Sequence, residues 1–143
     1  MKRTINSIIF LVVIANLSIA QNAELENLTC PQALALIQKF QYDTNFVILD
    51  LRTQTMYYEE HIENAIVYDV FSEGFDNWVS NLNKDKIFLL YCTRGHRSSI
   101  ALDKMKQIGF NNLYHLYQGI IEWKNQGFNT IKKPNITSDT TKV

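Results

Sequence analysis

Lys86-Ile-Phe-Leu-Leu-Tyr91, Cys92-Thr-Arg-Gly-His-Arg97 and Ser98-Ser-Ile-Ala-Leu-Asp-Lys-Met105 run on without a break, and each part requires a different backbone. The first is a short apolar run with β-branched and aromatic content, the composition of a buried parallel strand. The third places Ile100, Ala101, Met105 and Ile108 at the spacing of an amphipathic helix closed by Gly109. Between them lies a turn that starts with the second of the chain's 2 cysteines and holds Arg94, His96 and Arg97, its densest positive charge. No acidic residue occurs from Lys86 through Leu102. A tight strand-to-helix turn aims backbone N–H groups and a helix N-terminus into its concavity, which suits an anion. A thiol at the start of such a turn is favoured as thiolate. These residue types in this order predict a nucleophilic cysteine, Cys92, that handles an anion.

Outward from that stretch, helical and strand patterns alternate. Thr29 begins a helix with Leu34, Ile37 and Phe40 as its apolar stripe, and Phe46-Val-Ile-Leu49 reads as a buried strand. Tyr57 to Ile62 is a short helix or turn, and Ala65-Ile-Val-Tyr68 a strand. Phe71, Phe75, Trp78, Val79 and Leu82 fall at helical spacing, an aromatic stripe predicted to be core, with Gly74 as its weak spot. Asn112 to Leu116 is a strand, in which His115 is expected to be exposed or satisfied rather than functional. Gln118 to Asn125 is a last helix, closed near Gly127. The alternation predicts a three-layer α/β domain, a mostly parallel sheet of roughly four or five strands with helices on both faces. In such sheets ligands bind at the carboxyl ends of the strands, where Cys92, Asp50 and Arg52 all fall. Arg52 is expected among the substrate-binding residues, and Asp50 beside the site in a structural role.

With 143 residues and 46% hydrophobic content, the chain fits one domain of ordinary composition. Residues 1–20 read as a secretory signal: Lys2 and Arg3, an apolar core from Ile8 to Ala15, and small residues before Gln21. The apolar run is well short of the roughly 20 residues that a spanning helix needs. Export to a periplasm or the exterior is therefore expected, with no membrane attachment after cleavage. Residues 21–28 are expected to be a loosely ordered linker and 129–143 a disordered tail. Loss of Lys2 and Arg3 changes 14 basic against 14 acidic residues to 12 against 14, a balance that argues against a nucleic-acid partner. Cys30 and Cys92 could bridge in an oxidising compartment. The electropositive turn instead favours a free, reactive Cys92 and a passive Cys30 in the first turn of the Thr29 helix. Three scattered histidines and two distant cysteines show no metal-ligand spacing, and no cofactor is expected.

Cys92-x-x-Gly95-x-Arg97-Ser98 after an apolar strand resembles the active-site loop of single-domain rhodaneses, the sulfurtransferases. Asp50-Leu-Arg52 resembles that family's Asp-x-Arg strand end. Tyr58-Glu-Glu-His61-Ile-Glu-Asn-Ala65-Ile66 resembles its second segment, and Tyr117-Gln-Gly119-Ile-Ile-Glu-Trp123 its closing Gly-x-x-x-Trp helix. Glu60 and Asn64 stand where glycines are common in the second segment. The resemblance implies a rhodanese-like domain over residues 29–128 and a catalytic Cys92 that becomes a persulfide. It implies that Thr93, Arg94, Gly95, His96, Arg97 and Ser98 bind a small anionic sulfur donor such as thiosulfate. A thiol or a protein would accept the sulfur, with the domain acting as a monomer. His61 matches a largely structural histidine. A non-enzymatic persulfide carrier is the nearest alternative. A cysteine phosphatase or arsenate reductase is more distant, because phosphatases place five residues between cysteine and arginine and this loop has four. A dithiol oxidoreductase would need a Cys-x-x-Cys pair that the chain lacks.

Overall fold

The computed structural model describes residues 27–132. Five strands, β1 (Asn27–Leu28), β2 (Phe46–Asp50), β3 (Ala65–Val67), β4 (Ile87–Tyr91) and β5 (Leu113–Leu116), form a wholly parallel sheet in the order β1-β5-β4-β2-β3. β4 is therefore the middle strand, buried on both faces, and its uninterrupted apolar sequence follows from that position. Five helices pack on the sheet: α1 (Cys30–Phe40), α2 (Gln54–Glu59), α3 (Phe75–Ser80), α4 (His96–Gln107) and α5 (Gly119–Asn125).

Strand alternation divides the core in two. Phe88 and Leu90 of β4 join Leu49 of β2, Phe75 and Val79 of α3, and Ala101, Leu102 and Met105 of α4. Leu89 and Tyr91 join Ile48 of β2, Cys30 and Ala33 of α1, Tyr57 of α2, and Ile120 and Trp123 of α5. The architecture is thus the three-layer α/β arrangement that the alternation of elements predicts.

Local chemistry sets the helix ends. Thr29 caps α1 with extended backbone, its N–H donating to Gln32 Oε1 at 2.9 Å, and Pro31 sits in the first turn, where it removes no needed donor. Thr53 Oγ1 accepts from the Met56 N–H at the start of α2. Of the two glycine replacements, Asn64 takes the left-handed conformation itself, at φ 63°, which asparagine tolerates better than most residues. Glu60 is extended at φ −170° and needs no glycine. The second segment therefore keeps its turns without them.

Three expectations are corrected. Asn27 and Leu28, assigned to a loose linker, form edge strand β1 in register with His115 and Leu116. Residues 129–132, assigned to a disordered tail, are tied down: Ile131 and His61 exchange backbone hydrogen bonds at 2.9 Å, and Asn129 O accepts from Trp123 Nε1. The aromatic stripe of 71–82 is helical only over Phe75–Ser80. Asp69 Oδ1 accepts from the Phe71 N–H at 3.0 Å, and the Ser72 hydroxyl donates to Asp69 O, so a side-chain-capped turn competes with helix there. Phe71 is left outside the core, 60% exposed. The predicted signal, residues 1–20, and residues 133–143 of the predicted tail lie outside the described residues. Among the described residues no helix is long and apolar enough to cross a membrane.

Candidate active site

Cys92 follows the last residue of β4 and inherits the strand's alternation, which turns its side chain to the α4 face with Leu90. Gly95 then adopts φ 91°, a left-handed turn that brings its N–H to 3.2 Å from Cys92 Sγ and starts α4 at His96. The Ser98 hydroxyl lies 3.4 Å from the same sulfur, one turn into the helix. The Gly95 N–H and the positive end of the α4 macrodipole lie on the sulfur's side of the turn. Negative charge on Cys92, or on an atom bonded to it, is the charge this arrangement favours.

The loop is held from behind by the start of α5. Ile120 and Ile121 donate their N–H groups to the carbonyls of Cys92 and Thr93, at 2.9 and 3.3 Å. Backbone approaches backbone so closely that a Cβ on Gly95 would lie 2.0 Å from Tyr117 O, and one on Gly119 2.4 Å from Thr93 O. Gly119, at φ 70°, is thus required twice, for its conformation and for the contact. Trp123, buried one turn later, anchors that helix in the other half of the core. The Gly119-x-x-x-Trp123 pattern accordingly serves the cysteine loop from the opposite side of the sheet.

A mouth of about 500 Å³ opens over Cys92, lined by Met56, Phe71, Cys92, Thr93, Arg94, His96 and Arg97. Arg94 and His96 are exposed on its rim. Arg97 is half-buried, its guanidinium 5.7 Å from the Phe71 ring and donating to Met56 Sδ at 3.5 Å, a weak acceptor. Cys92 itself is 2% exposed, at the floor. Thr93 Oγ1 is buried there with no hydrogen-bond partner among the described residues. Gly95 and Ser98, expected to bind substrate, lie buried around the sulfur rather than on the rim. Met56 and Phe71 are the mouth residues that sequence reasoning did not anticipate; Phe71 was assigned to the core.

Arg52 lies elsewhere. It reaches the carboxyl edge of the sheet as predicted, but Asp50 pairs in register with Tyr91, whose side chain is on the face opposite Cys92. Asp50 and Arg52 are 0% and 3% exposed. Arg52 Nε and Nη2 grip the Asp50 carboxylate at 2.9 and 2.7 Å, Nη2 also donates to Glu60 O at 2.6 Å, and the Arg52 N–H bonds Asp50 Oδ1. Burial alone would lower the guanidinium's pKa, but the bonds and charge of Asp50 raise it above its ordinary value. Arg52 is thus an internal tie between β2 and the end of α2, away from the mouth. Tyr91, stacked under Arg52 with its ring 5.8 Å from the guanidinium, is pushed strongly upward by burial and by Asp50.

The remaining histidines and the other cysteine divide clearly. His61 is buried, stacks on Tyr57 at 3.7 Å and bonds Tyr57 O through Nδ1, so its work is local packing. His115 is the satisfied residue of the two states expected for it: it is 4% exposed, with Nε2 2.8 Å from Ser98 Oγ and Nδ1 2.9 Å from Asn27 Oδ1. Its register partner Leu90 lies two residues before Cys92, so both side chains face α4. Only the strand register carries that signal. Cys30 and Cys92 are both free thiols, on opposite faces of the sheet. Burial, helped by the charge of Glu122 and opposed by a backbone bond, pushes the Cys30 thiol up, toward the inert protonated form.

A free cysteine at a strand-to-helix turn, its sulfur facing the Gly95 N–H and the Ser98 hydroxyl under a cationic rim, defines a cysteine-loop α/β domain suited to an anionic adduct on sulfur. The chain belongs to the rhodanese-like domain family, whose model matches residues 30–126. It is similar to a tRNA uridine(34) hydroxylase of Enterobacter sp. (strain 638), 39% identical over 85 residues, which are 57% of this chain and 24% of that protein. This chain therefore matches only a minor part of such relatives. A rhodanese-related protein of Thermoplasma volcanium superposes with a TM-score of 0.60 at 23% identity, covering 74% of this chain and 97% of that one. The rhodanese-like domain of an Anabaena sp. protein gives 0.62 at 23% identity, with coverages of 82% and 86%. At those identities the likeness to the solved structures is one of fold.

Proposed function

We propose that the domain is a sulfurtransferase working through a Cys92 persulfide. The observation that carries the reading is Cys92 Sγ, which takes the Gly95 N–H at 3.2 Å on the floor of a mouth rimmed by Arg94, His96 and Arg97. Cys92 thiolate attacks the sulfane sulfur of an anionic donor such as thiosulfate. The new S–S bond forms as the donor's S–S bond breaks, and sulfite leaves with that electron pair. A thiophilic acceptor, cyanide or a thiol or protein thiolate, then attacks the outer sulfur, and Cys92 departs as thiolate. The amides of the turn stabilise the anionic persulfide, while Arg94 and Arg97 draw in the dianionic donor. Met56 and Phe71 give the same mouth an apolar wall for the body of a larger donor or acceptor.

The N-terminal pattern supports export to a periplasm or outside the cell after residues 1–20 are removed, and we propose that the domain works there as a monomer. The match to the tRNA uridine(34) hydroxylase spans 24% of that protein, and the chain without residues 1–20 carries no basic excess, which argues against a nucleic-acid partner. Two half-steps through a covalent intermediate require ping-pong kinetics. Initial rates at several thiosulfate and cyanide concentrations should give parallel double-reciprocal lines. Intersecting lines would overturn the covalent route, and a persulfide without turnover would mark a carrier.

A further inference from the structure

The proposed chemistry needs a group that takes the Cys92 proton, and the mouth offers none well placed: His96 is exposed on the rim, and His61 is bound up with Tyr57. Beneath the sulfur, however, an unbroken line of polar atoms leads away from it. Cys92 Sγ is 3.4 Å from Ser98 Oγ, which is 2.8 Å from His115 Nε2, and His115 Nδ1 is 2.9 Å from Asn27 Oδ1. Ser98 is 0% and His115 4% exposed, so the line starts in the interior and reaches the surface only at the exposed Asn27. Parallel pairing builds it: β1, β5 and β4 are adjacent, and Asn27 and His115 are in register.

Hydrogen positions follow from the donors and acceptors. Asn27 Oδ1 accepts only, so Nδ1 carries a hydrogen and the neutral ring presents its lone pair at Nε2. The Ser98 hydroxyl has one hydrogen and three neighbours, Nε2 at 2.8 Å, Gly95 O at 3.1 Å and Sγ at 3.4 Å. The shortest bond, to the basic nitrogen, takes that hydrogen, and an Oγ lone pair is left to face Cys92.

We propose that His115 accepts the Cys92 proton through the Ser98 hydroxyl, so that the nucleophile is generated from inside the protein. The Sγ–H proton passes to Ser98 Oγ as the Oγ–H proton passes to His115 Nε2. One S–H bond breaks and one N–H bond forms, the hydroxyl is regenerated, and charge is conserved as thiolate plus imidazolium. The thiolate then accepts from both Ser98 Oγ–H and Gly95 N–H, and the imidazolium donates to Ser98 Oγ and Asn27 Oδ1. Asn27 and His115 act as positioning residues through Ser98, the group that touches the sulfur. This inference rests on the persulfide reading of Cys92.

The test compares His115→Gln with wild type and with His115→Ala. Glutamine can hold the Ser98 hydroxyl but cannot take a proton. The relay predicts that both variants lose about 10²-fold in single-turnover sulfur uptake from thiosulfate, the lower end of what proton transfer by a placed group supplies. Alkylation of Cys92 by iodoacetamide at neutral pH should slow in parallel, with the Michaelis constant for thiosulfate little changed. His115→Gln matching wild type in both rates would overturn the relay. Should either variant unfold, nitrogen NMR of the His115 ring across pH decides: the pH at which Nε2 gains its proton should differ between the wild type and Cys92→Ser, because in the relay that proton comes from the thiol. An identical titration in both would also overturn it. Failure of wild-type protein to take up sulfur at all would instead strike the persulfide reading.

Discussion

The carboxyl ends of β2 and β4 lie side by side, in register from Phe46 with Ile87 to Asp50 with Tyr91, and both lead into charged residues. At the end of β2, Asp50 and Arg52 close on each other and on Glu60 O, wholly buried. At the end of β4, Cys92 turns to the other face, and Arg94 and His96 stand in the open with no carboxylate among the mouth-lining residues. One strand end spends its charge on architecture and the other keeps it available. Residue type does not separate them, since each contains an arginine near an edge where ligands bind. What separates them is side-chain parity and whether an acidic partner lies within reach.

Four substitutions would break or sharpen that contrast. Cys92→Ser should abolish thiosulfate:cyanide turnover with an unchanged melting curve, whereas Cys30→Ser should keep most activity. Equal loss in both would mean that the two cysteines act as a pair. Asp50→Ala should cost about 3–5 kcal/mol in denaturant unfolding, because Arg52 is left buried without its counter-charge. A loss below 1 kcal/mol would place Arg52 in solvent and return it to the list of donor-binding residues. Arg94→Ala should leave stability alone and raise the Michaelis constant for thiosulfate with turnover spared. The lost bond to an anion is worth about 1.5–3 kcal/mol, or roughly ten- to a hundredfold. An unchanged constant would remove thiosulfate as the donor that the rim serves.

The smallest effect concerns alkaline pH. Tyr91 and Cys30 both have pKa values raised by burial above their ordinary 10.0 and 9.0, with Asp50 and Glu122 adding to the respective shifts. The fold therefore favours their protonated forms. Their contribution is intact below about pH 9 and is lost as pH rises, since the unfolded chain gives up those protons first. Each group adds a slope of about 1.4 kcal/mol per pH unit above its unfolded value. Tyr91→Phe should lower stability throughout, by removing the acceptor of the Ile62 N–H, yet show a shallower decline above pH 10. An identical slope would mean that the phenol is not held protonated by the fold.

Much of the site was legible because it is local. Strand, cysteine, left-handed glycine and helix start fall within Lys86 to Met105, where composition and spacing report directly on backbone shape. The same holds for α1, whose cap and proline, Thr29 and Pro31, lie two positions apart in sequence. What could not be read depends on pairing between distant segments. That Arg52 faces away from Cys92 follows from the register of β2 on β4. That His115 faces the sulfur follows from its alignment with Leu90. Asn27 and Leu28 look like linker until β5 supplies a partner, because two residues of strand carry no periodicity of their own. Phe71 fits a helical stripe, but the Asp69 turn ends the helix before reaching it.

The central claim is that sulfur is carried on Cys92, and intact mass of the purified protein after exposure to thiosulfate tests it most directly. The account predicts a gain of one sulfur atom, reversed by cyanide, present in Cys30→Ser and absent from Cys92→Ser. No gain in the wild type, or a gain that survives Cys92→Ser, would contradict it.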